Sequence, residues 1–151
     1  MHTFADTQGR TWTVTINVDV IRRVRSLLNI NLLEAVEGRL LERLITDPVL
    51  LCDILFVVIQ PEAVTKDISD EDFGRSLGGD VLDLATTALL EELVDFFPSA
   101  KRTVFRKALT KLKQLETLAI ETATQRLESP ELEQRMRAAI SGTQAASTSG
   151  S

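Results

Sequence analysis

Behind Asp47-Pro48 the chain runs Val-Leu-Leu-Cys-Asp-Ile-Leu-Phe-Val-Val-Ile, eleven residues from Val49 to Ile59 with a single charge, Asp53. A segment apolar on nearly every side is stable in water only where other elements cover all of it. Asp47 suits a helix cap and Pro48 the first helical position, which predicts a helix over Val49 to Gln60, stopped by Pro61. The β-branched Val57-Val58-Ile59 would equally suit a buried strand. Helix is the reading adopted, because no partner strand is evident nearby. The rest of the chain must then wrap a central helix. Eleven residues fall short of the ~20 that cross a bilayer, so no membrane partner is expected.

The flanking segments supply that wrapping. Thr11-Trp12-Thr13-Val14-Thr15-Ile16 alternates with period two, placing Trp12, Val14 and Ile16 on one face. Thr3-Phe4-Ala5 reads as a partner strand and Asp6-Thr7-Gln8-Gly9 as the turn. An isolated hairpin is marginal in water, so its apolar face needs cover. Asn17 is a cap for a helix carrying Val18, Ile21, Val24 and Leu28. A second helical pattern, from about Leu32 to Ile45, carries Leu33, Val36, Leu40, Leu41 and Leu44, with a break expected near Gly38. Pro61 to Ile68 reads as a loop. Ser69 caps a short acidic helix ending at Gly78-Gly79. Asp80 caps the next, which runs to Phe97 before Pro98 with Leu82, Ala85, Leu89, Leu93 and Phe96 along one side. Ser99 to about Glu128 is one long helix with Phe105, Ala108, Leu112, Leu115 and Ala119 as its seam. Ser129-Pro130 opens a helix to Ile140, and the small polar end from Gly142 is expected to be disordered.

The fold class is therefore mainly α. An N-terminal β-hairpin packs on a helical bundle, followed by a long basic helix and a disordered tail. The expected divisions are a body over 1–98, a basic helical extension over 99–141 and the tail over 142–151.

The catalytic vocabulary is thin: one His, one Cys and no Tyr in 151 residues. A disulfide needs a second Cys, and a Cys/His zinc site needs three or four ligands. His2 reads as a terminal residue and Cys52 as a buried thiol. The carboxylates at Asp67–Asp72 do not fit a calcium loop, because Asp72 or Arg75 falls where the mid-loop Gly belongs. Gly74-x-x-x-Gly78-Gly79 leads into Asp80, which repels phosphate. Asp80, Asp83, Glu91 and Asp95 are spaced as a solvated helix edge. No catalytic, cofactor or metal residues are assigned, and the chain is read as non-enzymatic.

Charge divides the chain in two. Residues 1–100 hold 8 basic and 17 acidic residues, net −9, while 101–151 hold 9 and 5, net +4. Lys101, Arg102, Arg106, Lys107, Lys111 and Lys113 are six bases in 13 residues without an acid. They are the candidates for electrostatic docking, onto the acidic body or an acidic partner. Nucleic acid is the sharper reading, with counterion release from phosphates as its driving force, but no recognition motif or stacking aromatic accompanies the run. Aromatic rings anchor interfaces, so Trp12, Phe56, Phe96, Phe97 and Phe105 are the candidate partner-binding side chains. For Trp12 the competing reading is hairpin core.

The order of elements resembles the tail assembly chaperones of long-tailed bacteriophages and prophages. The resemblance covers about residues 1–98. It rests on Phe4-Ala5-Asp6-Thr7-Gln8-Gly9-Arg10-Thr11-Trp12-Thr13-Val14, on Asp47-Pro48 with Leu50-Leu51-Cys52-Asp53-Ile54-Leu55-Phe56, on Ile68-Ser69-Asp70-Glu71-Asp72-Phe73-Gly74, and on Ala88-Leu89-Leu90-Glu91-Glu92-Leu93-Val94-Asp95-Phe96-Phe97-Pro98. It implies a role in virion assembly: binding the long, apolar, helical tape-measure protein, and the tail tube protein as a further partner, in the host cell cytoplasm. The N-terminus lacks a basic, then apolar, leader pattern, and a lone Cys suits a reducing compartment. The other readings are a virion structural or adaptor protein and a nucleic-acid-associated regulatory protein using Lys101–Lys113. A homo-oligomer is compatible with all three.

Overall fold

The computed structural model describes the backbone of residues 1–37 and 39–149, and the side chains of these as far as Gly142. The expected tail, beyond Gly142, lies outside the described side chains, and Gly150 and Ser151 lie outside the described residues altogether. The protein is mainly helical, at 77%, with a two-stranded antiparallel hairpin packed against the helices. The chain forms two compact units, Met1–Leu109 and Thr110–Ser151.

In the first unit, β1 (His2–Ala5) pairs with β2 (Thr11–Val14), Phe4 opposite Trp12. The turn closes through Gly9, whose φ of 77° lies in the left-handed region that glycine enters without strain. Trp12, Val14 and Ile16 are buried on one face, as the alternation predicts. That face is covered chiefly by α3 (Pro48–Lys66), while β1 lies against α5 (Asp80–Phe96).

α1 (Val18–Leu28) starts where expected, with the Asn17 side chain accepting from the Val20 N–H. Its buried face is Val20, Ile21 and Val24, and Val18 is exposed. The expected helix from Leu32 divides into a 3-10 turn (Leu32–Glu37) and α2 (Arg39–Thr46), on either side of position 38. The 3-10 turn buries Leu32 and Ala35, while the expected Leu33 is exposed and Val36 half-buried.

α3 is the central helix, against α1, α2, α4 (Asp70–Arg75), α5 and β2. Asp47 accepts from the N–H groups of Val49 and Leu50. Asp47→Ala is expected to cost about 1 kcal/mol, read as a lowered denaturant midpoint at unchanged m-value. Pro61 does not stop the helix. It removes one helical donor, and the turns beyond it are held from outside: Glu62 accepts from the Thr13 N–H at 3.2 Å and Lys66 donates to the Thr11 carbonyl at 2.6 Å. Asp67, with φ 55°, ends α3 in a left-handed cap. The resulting 19-residue helix is long and apolar enough to cross a bilayer by length and composition. Here its apolar residues Leu50, Leu51, Ile54, Leu55, Val57, Val58, Ile59 and Ala63 are core.

Ser69 caps α4, accepting from the Asp72 N–H, as expected. α4 ends at Arg75, before the glycine pair. Gly79, with φ 57°, takes the position ahead of α5, and Asp80 is that helix's first residue. α6 (Ser99–Leu127) contributes Phe105 and Leu109 to the core of the first unit. The second unit holds the remainder of α6 and α7 (Pro130–Ser149), which continues past the Ile140 expected from sequence.

Candidate functional site

Three places in the described residues gather polar or apolar groups beyond what packing alone requires. The first is the hairpin turn. Asp6 is buried, and its carboxylate accepts from the N–H groups of Gln8 and Arg10, from Arg10 Nε at 2.9 Å and from Trp12 Nε1 at 2.8 Å. Burial pushes this carboxyl up, but the bonds from Trp12, Arg10 and the backbone outweigh it and hold it below the usual Asp value. The Trp12 ring meets Phe73 of α4 edge-on at 5.4 Å, and Phe73 meets Phe56 at 5.8 Å. Lys66 Nζ stands 4.5 Å from the Trp12 ring centroid. The turn is thus the device that lets an indole be buried with its N–H satisfied.

The second place is where β1 crosses α5. Glu92 is only 6% exposed. Its Oε1 receives both the Met1 α-amino group at 2.7 Å and His2 Nδ1 at 2.8 Å. Burial raises this carboxyl, and the amino group and His2 more than offset that, so it sits below the ordinary Glu value. Asp95, one turn along α5, has a carboxylate oxygen that lies within 4.8 Å of the ligand atoms of His2 and Glu92. The sequence pattern places Glu91 and Asp95 on a solvated edge and His2 at a terminus, and does not single out Glu92. No local pattern could have found the pair, which is separated by 90 positions.

The third place belongs to the second unit. Leu115, Leu118, Ala119, Thr122, Ala123, Arg126 and Leu127 lie along one open face of α6. Leu115, Leu118 and Leu127 are 53%, 57% and 69% exposed. Their spacing, three and four apart, is that of the apolar stripe of an amphipathic helix.

The aromatic candidates separate by burial. Trp12, Phe97 and Phe105 lie in the core, with Phe97 and Phe105 edge-to-face at 5.7 Å, so they present no ring to a partner. They are buried because the hairpin face and the α5–α6 corner each need a large apolar side chain. Phe56 and Phe96 are half-buried. The basic run also separates. Arg106 lies 3.6 Å from both Glu91 and Asp95, and Arg102 donates to the Asp95 carbonyl at 3.4 Å, so these two meet the acidic edge of α5. Lys101, Lys107, Lys111 and Lys113 are exposed. Cys52 is half-buried, its thiol pushed up by burial and then by the nearby Asp53 and Asp70.

The described residues therefore define a helical protein with a packed N-terminal hairpin, a buried carboxylate paired with Met1 and His2, and an exposed apolar stripe on α6. Comparison with protein-family models, with curated proteins and with solved structures gives no match.

Proposed function

We propose that this chain is a non-enzymatic binding protein that keeps a long, apolar, helical partner soluble, acting as a phage tail assembly chaperone on a tape-measure protein in the host cytoplasm. The observation that carries the reading is the α6 seam of Leu115, Leu118, Ala119, Ala123 and Leu127, exposed on a helix that also bears Lys111, Lys113, Glu116 and Glu121. An apolar stripe flanked by charge accepts another amphipathic helix by seam-to-seam packing and remains dispersed when empty. The order of elements over residues 1–98 supports the same reading. The nucleic-acid alternative loses two of its six bases to α5, since Arg102 and Arg106 face Glu91 and Asp95.

The test is co-expression with the tape-measure protein of the same tail gene cluster. The wild-type chain is expected to move that partner into the soluble fraction and to co-purify with it at low and moderate salt. The variant Leu115→Asp/Leu118→Asp/Leu127→Asp is expected to lower the recovered complex at least tenfold, with the thermal transition of the first unit unchanged. Recovery of nothing by the wild-type chain refutes the reading. Finding the chain in purified particles by mass spectrometry would favour a structural adaptor over an assembly chaperone.

A further inference from the structure

We infer that His2, Glu92 and Asp95 form a binding site for a divalent first-row transition metal ion of the Zn²⁺ class. The inference is independent of the α6 seam and of any partner bound there.

Four features of the crossing of β1 and α5 carry it. The Glu92 carboxylate is held inside the first unit, where an anion is stable only with cationic or metal company. Two nitrogen donors, the Met1 α-amino group and His2 Nδ1, approach the same oxygen, Oε1, at 2.7 and 2.8 Å. One carboxylate oxygen therefore gathers both nitrogens at a single point. Asp95 follows Glu92 by three residues on α5, so both carboxylates project on the same side of the helix. The ligand atoms of His2, Glu92 and Asp95 lie within 4.8 Å of one another, close enough for a small side-chain adjustment to bring all three onto one ion.

The donor set also selects the ion. One imidazole with two carboxylates is a nitrogen-containing set, which suits Zn²⁺ and its late first-row neighbours. Mg²⁺ and Ca²⁺ prefer all-oxygen shells. A fourth position is open to the α-amino nitrogen or to water. Binding at Nδ1 uses the lone pair of the neutral imidazole. Arg106 faces both Glu91 and Asp95 at 3.6 Å, so it keeps Glu91 as a partner when Asp95 turns to the ion.

The experiment is calorimetric titration of the full chain with Zn²⁺ alone at pH 7.5. One equivalent is expected to bind with micromolar affinity, and Mg²⁺ at the same concentration is expected to give no heat. His2→Ala and Asp95→Asn are both on exposed or half-exposed positions and leave the core intact. Each is expected to weaken Zn²⁺ binding at least tenfold, with unchanged near-UV circular dichroism. Co²⁺ in place of Zn²⁺ is expected to show the visible absorption of a tetrahedral site, lost in the same two variants. No heat with Zn²⁺, or Zn²⁺ binding equal in wild type, His2→Ala and Asp95→Asn, overturns the assignment.

Discussion

Trp12→Ala is expected to lower the stability of the Met1–Leu109 unit by about 4 kcal/mol, the upper part of the range for truncating a buried aromatic. Trp12 is fully buried, with Phe73 edge-on at 5.4 Å and Lys66 over its ring. Its loss opens a cavity between β2, α3 and α4, and also strips Asp6 of its indole donor. Domains of this size have about 5–15 kcal/mol in all, so the variant loses a large part of its margin. The fall in Tm is expected to be roughly 15–25 °C, from about 4–8 °C per kcal/mol in small domains. Trp12→Phe fills most of the volume and lacks only the N–H, so it should recover more than half of the loss. If Trp12→Ala melts within a few degrees of wild type, the hairpin is not part of the cooperative unit.

Asp6→Ala removes the acceptor for two side-chain and two backbone donors at once. Arg10 loses its carboxylate and Trp12 its partner, and the expected cost is about 3 kcal/mol. Asp6→Asn keeps the shape and removes the titration, which makes pH the sharper readout. The folded pKa of Asp6 lies below its unfolded value. Its contribution is therefore fully present above the unfolded pKa of about 3.9 and is lost as pH falls through the folded pKa. The wild-type chain should lose stability below about pH 4, while the difference between it and Asp6→Asn shrinks over the same interval. A difference that stays constant from pH 6 to pH 2.5 would show that Asp6 does not carry this dependence. Urea midpoints at each pH make the measurement.

What sequence alone could reveal follows the range of the interactions involved. The caps at Asn17, Asp47 and Ser69 are local, each side chain reaching an N–H two or three residues on, so they were legible. The alternation of Trp12, Val14 and Ile16 was legible for the same reason. Pro61 misled because the hydrogen bonds that hold the turns after it come from β2, some fifty residues away. Gly78-Gly79 misled because a glycine pair marks a junction without saying which helix it belongs to. Asp6 was recognised as a turn former, while its reach to Trp12 depends on the hairpin being closed. The meeting of His2 with Glu92 had no sequence signal, being a consequence of β1 lying across α5. The α6 seam was half legible: Leu115 and Ala119 fall on the expected line, and Leu118, Ala123 and Leu127 complete it.

The pairing of β1 with α5 sets the order of events during synthesis. The helix that β1 rests on is completed about 90 residues after it, the separation of His2 and Glu92. At about 5–20 residues per second, that is an interval of roughly 5–20 s. Through it β1 lacks the helix it lies against, while the β2 face can already meet α3, and closing so long a loop costs entropy before any contact rewards it. A chain interrupted before α5 would leave β1 without the helix it lies against. The body therefore closes around β1 only after nearly all of it has been made.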